Sequence, residues 1–312
     1  MNDNTGYDWL SDLGPALKAQ QSWDNGRYAD LVNTHLIYQS SSPFCIANGA
    51  SLLAEHVRKF RFTPSIIQRM GRMNDDKGRT LFHESFLNFV QRMRLSVQVY
   101  AAPAGALLLK GEPILSIKGP LAQIQLLDSA IQKLCWESSC WTTLAALQRW
   151  QKKDWEEEEK TPPLGIPDTP EYWKNSAIFI GGGQIEDGFW QTASIPPYPG
   201  LHPILNENGE PLFQIRRLFK GSSPLGDVLL SAAQEDKSTV TNPEINFNPG
   251  QEKQPQKIRF SRFQQVYEPV LIKGRPVMPL TRASYARQRT LRHMEAYSQA
   301  EPSAFLSGWF CL

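Results

Sequence analysis

The sequence predicts a chain of the α/β (α+β) class, with an N-terminal helix-and-strand domain and a C-terminal sheet and helix. Three observations lead there. Glu112 to Lys118 is a short apolar strand ending at Gly119-Pro120, and beyond it Leu121, Ile124, Leu127, Ile131, Leu134, Trp141, Leu144 and Leu147 recur at spacings of three, four and seven. That is one apolar stripe on a helix of about eight turns. Further on, Glu210 to Lys220 and Gly226 to Leu230 read as paired strands, and Leu280 to Tyr297 as a basic helix with Arg282, Arg287, Arg289 and Arg292.

On these patterns the chain divides into a polar N-terminal arm at 1–30, a helix-and-strand domain at 31–150, a Pro/Gly-rich stretch at 151–205, and a sheet and helix at 206–312. The arm is polar with scattered aromatics (Tyr7, Trp9, Trp23, Tyr28) and reads as loosely attached, with room for a short helix. Asn48-Gly49-Ala50 is a turn that opens a helix with Leu52, Leu53, His56, Val57 and Phe60 on its buried face. Thr63-Pro64 reads as an N-cap with proline at the first helical position, starting a helix through Ile66, Ile67 and Met70 to Gly71. After a polar turn at Asn74 to Gly78, Phe82 to Met93 is amphipathic again, and Val97 to Leu109 reads as a pair of short strands. Gly119-Pro120 turns the next strand into the long helix, with proline suited to its first position.

Gln151 to Lys160 is charged on every face and reads as a solvated helix end leading into a linker. Ser176 to Gly183 is a strand ending in a glycine turn, but neither glycine-rich phosphate-binding pattern is present. Ser238 to Lys257 reads as a mobile polar loop, and Tyr267 to Pro276 as a hairpin around Lys273-Gly274. Trp150, Trp155, Trp173 and Trp190 could mark a binding face, because large aromatics anchor interfaces.

Composition bounds the function. With 33 basic against 31 acidic residues among 312, no broad attraction to nucleic acid or membrane is expected. No signal peptide and no membrane span are recognisable, so a cytoplasmic location is expected. Cys45, Cys135, Cys140 and Cys311 show neither C-x-x-C pairing nor zinc-type spacing and read as reduced and structural.

Pro103-Ala104-Gly105, Gly111-Glu112-Pro113-Ile114-Leu115, Gly119-Pro120-Leu121, Gln125-Leu126-Leu127-Asp128-Ser129 and Arg149 resemble, in order and spacing, motifs from the N-terminal half of nicotinate phosphoribosyltransferases. The resemblance covers 31–149 well, 207–232 and 266–295 moderately, and the middle poorly. It implies that Leu31 to Gln39 is the family's opening helix, with Tyr38 retained, and that a longer connection is deleted at Ser40 to Pro43. Ser176 to Gly183 resembles the family's Ala-Ala-Tyr-Ile-Gly-Gly, and Gly200-Leu201-His202 faintly resembles its Gly-Thr-x-Ala-His.

In the family a β/α barrel lies between the two matched stretches, and such barrels need about 200 to 250 residues. Only 60 residues separate Arg149 from Glu210, so no complete barrel is expected. The family's arginine pair and its Asp-Ser-Gly-Asp have no counterpart, and its Pro-Glu-Gly becomes Pro103-Ala104-Gly105. Tyr38, Arg149 and His202 remain as the substrate-binding residues the resemblance can carry over, and no catalytic residue or metal ligand does.

Each survivor has a bland alternative. Tyr38 is a half-buried aromatic or a stacking platform, Arg149 a cation favoured at a helix C-terminus, and His202 a surface loop histidine. The implied protein is a shortened, non-catalytic relative that serves as an interaction, regulatory or assembly partner in NAD salvage. It forms homo- or hetero-oligomers through its N-terminal domain, with no cofactor, no nucleic acid and no clear small-molecule ligand. The alternative is phosphoribosyltransferase activity completed by a barrel-bearing subunit.

Overall fold

A computed structural model describes residues 12–38, 44–109, 111–152, 196–202, 267–278 and 283–300, together with five strands between 212 and 265. Residues Met1–His202 and Pro269–Leu312 form one compact unit, and Pro203–Glu268 form a second.

The first unit is built around a five-stranded sheet in the order β1-β5-β3-β11-β12. Its strands are β1 (Leu31–Ile37), β3 (Gln98–Ala101), β5 (Pro113–Pro120), β11 (Glu268–Ile272) and β12 (Arg275–Pro276). β5 is an interior strand and nearly all buried, and it pairs antiparallel with β1 (Leu36 opposite Leu115) and with β3 (Val99 opposite Ile117). The implied opening helix at Leu31 to Gln39 is therefore overturned over 31–37. Val32, Thr34 and Ile37 are β-branched, and one ladder with β5 satisfies their backbone groups.

The strands expected within Val97 to Leu109 both form, yet they do not pair with each other. β3 joins β5, whereas β4 (Leu107–Leu109) pairs with β2 (Phe44–Ile46) in a separate two-stranded sheet. The expected hairpin forms at β11–β12, with Lys273 at φ 49° and Gly274 at φ 70° in its turn. Gly274 also lies against the chain at Leu95, where a Cβ would stand 1.9 Å from a carbonyl oxygen. Only glycine fits that approach.

From β5 the chain enters α5 (Leu121–Ile131), passes through a π-helical segment (Gln132–Glu137) and continues as α6 (Ser138–Lys152). The expected long helix is thus present with a π segment inside it. Pro120 is its N-cap, with ψ 135°, and Leu121 is its first helical residue. The π segment abuts Gly49, where a Cβ would fall 1.5 Å from the Leu134 carbonyl oxygen. Gly49, at φ 90°, is the N-cap of α2 (Ala50–Lys59).

α3 (Pro64–Gly71) opens as expected, with Thr63 Oγ1 accepting from the Ile66 N–H. α4 (Glu84–Arg92) follows the polar turn, which Asp75 closes through the Lys77 and Arg79 N–H groups. The arm contains α1 (Gly14–Asp24), docked rather than loose. Ala16 and Ala19 are buried with Phe60, Phe62, Met70, Phe86, Val90, Ala122 and Leu126 in one core cluster, where Trp23 stacks on Phe89 at 4.4 Å. A second cluster joins β2, β4, the later half of α6 and α7 (Ala283–Ala300), through Phe44, Ile46, Leu107, Ala145, Leu147 and Met294.

In the second unit β6 (Leu212–Lys220) pairs antiparallel with β7 (Ser223–Ser231) and with β10 (Arg262–Gln265). β8 (Glu244–Phe247) pairs with β9 (Gln256–Arg259), so the stretch expected to be a loop contains both partners of a ladder in part. Among the described residues the strands form no closed barrel, and no helix is long and apolar enough to cross a membrane. Ser40 to Pro43, Ser176 to Gly183, Trp155, Trp173 and Trp190 lie outside the described residues.

Candidate functional site

The ladder between β1 and β5 continues past the end of β1. Tyr38 N–H donates to the Glu112 carbonyl and Gly111 N–H to the Tyr38 carbonyl, both at 2.9 Å. The Glu112 carboxylate accepts from Leu109 N–H at 2.8 Å and so caps the turn between β4 and β5. This backbone course leaves Tyr38 buried, 3% exposed, with its ring centroid 6.1 Å from that of Trp136.

Trp136 belongs to the π segment and is itself fully buried. Its Nε1–H donates to the Pro196 carbonyl at 3.0 Å. The chain at 196–202 is a strap fastened at two further points. Tyr198 donates its hydroxyl to Asp128 Oδ1 of α5 at 2.7 Å, and His202 exchanges both backbone hydrogen bonds with His35 of β1, at 2.8 and 2.9 Å. Burial, and then the neighbouring Asp128 carboxylate, push the Tyr198 phenol well above its usual range, so it stays a donor.

The adjoining titratable groups are also tuned toward their neutral forms. Burial raises the Glu137 carboxyl, opposed by Lys133, whose Nζ is 2.6 Å away. Burial pushes the Cys45 thiol up to about 12 and raises Cys135 and Cys140 too. These three cysteines are free thiols held protonated, which suits packing and not nucleophilic chemistry.

The Pro103-Ala104-Gly105 turn sits elsewhere, against α7. Gly105 has φ 82°, and a Cβ there would stand 2.1 Å from the Ala286 carbonyl oxygen. Thr290 Oγ1 donates to the Gly105 carbonyl at 3.2 Å, the Arg289 guanidinium donates to the Ala104 carbonyl, and His293 Nδ1 accepts from Leu107 N–H at 3.1 Å. Ala104 is buried, and the turn's carbonyls are engaged by the helix.

The sequence-derived residues are distributed as follows. Tyr38 is inside, beside Trp136. His202 is exposed, its Nε2 beside the Pro199 carbonyl, and its backbone partner His35 lies three residues from Tyr38, about 10 Å along a strand. Arg149 lies thirteen residues beyond Trp136, a rise of about 20 Å along the helix axis. Its side chain lies outside the described surroundings. Tyr38 thus lies beside the middle of the long helix, His202 on the outer edge of β1, and Arg149 near the helix's C-terminal end. Trp136 and Tyr198 had no role in the sequence reading, and Asp128 entered it only within the Gln125-Leu126-Leu127-Asp128-Ser129 motif. Tyr198 lay in a Pro-Pro-Tyr-Pro-Gly run within the Pro/Gly-rich stretch, and no local pattern pointed from it to Asp128.

The model of the nicotinate phosphoribosyltransferase (NAPRTase) N-terminal domain matches residues 12–134. Comparison with curated proteins gives no match. The structure is similar to the crystal structure of human nicotinic acid phosphoribosyltransferase, with a TM-score of 0.66 and 14% identity, over 92% of this chain and 93% of that one. It is also matched to nicotinate-nucleotide pyrophosphorylase from Pyrococcus furiosus, with a TM-score of 0.48 and 11% identity, over 92% and 95%. Residues 12–134 thus match the nicotinate phosphoribosyltransferase N-terminal domain, and the likeness to the human enzyme's structure is one of fold.

Proposed function

We propose that this chain is a non-catalytic nicotinate phosphoribosyltransferase-like protein that works as an assembly or regulatory partner, with a full-length homologue as its natural counterpart. The observation that carries the reading is the dispersal of the three residues the family resemblance transfers. Phosphoribosyl transfer needs its groups converged at near-attack distances. Here Tyr38 packs on Trp136, His202 faces outward, and Arg149 is about 20 Å further along the helix.

Two further facts support it. Ala104 stands where the family has glutamate, and its turn is occupied by α7. The 60 residues between Arg149 and Glu210 are too few to enclose a sugar-phosphate pocket in a barrel. The match across 93% of the human chain concerns overall layout; the residue count concerns what a segment of that length can wall in.

A second reading keeps catalysis and assigns the missing barrel to a partner subunit. It is favoured by the match of residues 12–134 to the family's N-terminal domain. The test is turnover of nicotinate with phosphoribosyl pyrophosphate, measured for the purified chain alone and mixed with an active homologue. The expected result is no turnover alone and an altered mass or rate of the homologue. Turnover by the chain alone overturns the proposal, and turnover of the mixture through a site on this chain selects the second reading.

A further inference from the structure

The near balance of charge over the whole chain hides a strong local excess. Residues 58–94 hold nine basic side chains, seven of them arginine, against three acidic ones, a net +6 in a chain whose total is +2. All nine are exposed, on α2, α3, α4 and the turns between them. Phe60 and Phe62 meet edge-on at 5.3 Å across the short link from α2 to α3. At the far end of α3, a Cβ added to Gly71 would touch the Leu87 methyl in the first turn of α4 at 3.4 Å. The three helices therefore present one continuous surface.

Part of the excess has an ordinary cause. Arg58, Lys59, Arg69 and Arg92 fall in the last turns of their helices, where a cation is favoured. Arg58 and Lys59 pair with Glu55, and Arg79 with Asp75. Among the described residues Arg61, Arg72, Lys77, Arg92 and Arg94 make no ion pair. Five unneutralised cations on one surface repel each other and favour an anionic partner.

The chemistry of the surface narrows the partner. α3 alone is about 12 Å long, so a single small anion cannot bridge its two ends. No large apolar side chain between 58 and 94 is exposed, which leaves nothing to insert into a bilayer and no ring on which an unpaired base could stack. Arginine is favoured where phosphate oxygens are held in pairs. A nucleic-acid duplex carries one phosphate per about 1.7 Å of its axis, so a 12 Å stretch offers about seven. We propose that the α2–α4 surface binds the phosphate backbone of a nucleic-acid duplex, without regard to base sequence. Charge complementarity is the argument for this occupant, and the residues that carry the non-catalytic reading take no part in it.

The test is fluorescence anisotropy of a labelled 24-base-pair DNA of mixed sequence, titrated with the full chain. A Kd of about 1–100 µM is expected at about 150 mM salt. Five phosphate contacts give a salt slope of about −4.5, so binding should weaken about 500-fold between about 50 and 200 mM. Arg72→Glu, Arg92→Glu and Arg94→Glu together should cut affinity at least about 100-fold at low salt and bring the slope to about −2. Lys18→Glu, Arg275→Glu and Arg292→Glu together change the net charge equally, away from α2–α4, and should alter affinity less than about threefold. Cooperative unfolding of both variants excludes misfolding as the cause.

Absence of binding at about 50 mM salt overturns the proposal, as does equal loss in the two variants, which would reduce the effect to net charge. Tighter binding to a single strand, to anionic lipid vesicles or to poly-glutamate also overturns it and assigns the surface to that partner. Nicotinate turnover assayed on the same samples reports separately on the non-catalytic reading, so either claim can fail alone.

Discussion

The π segment in the middle of the long helix from Leu121 to Lys152 and the Pro103-Ala104-Gly105 turn are held by different kinds of contact. Near the π segment the contacts come from side chains: Tyr38 against Trp136, Trp136 to the Pro196 carbonyl, and Tyr198 to Asp128. The family-like Pro103-Ala104-Gly105 turn is held by its backbone, which approaches α7 closely enough to exclude any Cβ at Gly105. The difference teaches that a motif can persist for packing alone. At the π segment the ring is what matters, and at the turn it is the absence of a side chain.

Substitutions of the close-approach glycines should have the largest effects. Gly105→Ala and Gly49→Ala both place a Cβ against a carbonyl oxygen at a positive φ. Each is expected to cost about 4 kcal/mol, read as a fall in the denaturant midpoint. A loss below about 1 kcal/mol at Gly105 would break the contrast drawn here, since it would mean α7 can retreat without consequence.

Next comes Trp136→Ala. It deletes a fully buried ring and is expected to cost about 3–5 kcal/mol, while Trp136→Phe should cost less because it chiefly loses the bond to Pro196. Equal losses for the two would show that the hydrogen bond, and not the ring, anchors the strap.

Tyr198→Phe removes a donor to a carboxylate and is expected to cost about 1–3 kcal/mol. Amide exchange at His35 and His202 should quicken in the same variant, because their paired bonds hold the end of the strap. Unchanged exchange there would mean that the strap's fastenings act independently.

The smallest effect concerns Glu137. Its folded pKa is raised by burial, so the native state holds the proton more tightly than the unfolded chain does. Stability from this group therefore falls as pH rises from the ordinary glutamate range through the folded value. Glu137→Gln is expected to raise the melting temperature slightly at neutral pH and to leave it unchanged near about pH 4. A loss at neutral pH would show that the bond to Lys133 outweighs the burial.

Much of this fold was legible in the sequence where periodicity and punctuation agreed. The β5 strand, the long helix, the Thr63-Pro64 start of α3 and the Lys273-Gly274 hairpin all combine a clear period with a residue that ends it. β1 was misread because the resemblance argued for a helix, although Val32, Thr34 and Ile37 favour a strand. The π segment was hidden because the apolar stripe skips from Leu134 to Trp141, which a regular helix also allows. The Tyr198–Asp128 bond joins residues 70 apart, and no local pattern encodes it. The surroundings of Tyr38 were equally out of reach, since Trp136 meets it only through the tertiary fold.

The central claim is that the residues this chain shares with nicotinate phosphoribosyltransferases serve packing and assembly instead of substrate capture. Calorimetric titration of the purified chain with nicotinate, and then with phosphoribosyl pyrophosphate, tests it most directly. The account predicts no saturable heat with either compound at millimolar concentration. Saturable binding at micromolar concentration, lost in Tyr38→Ala while the variant still unfolds cooperatively, would contradict it.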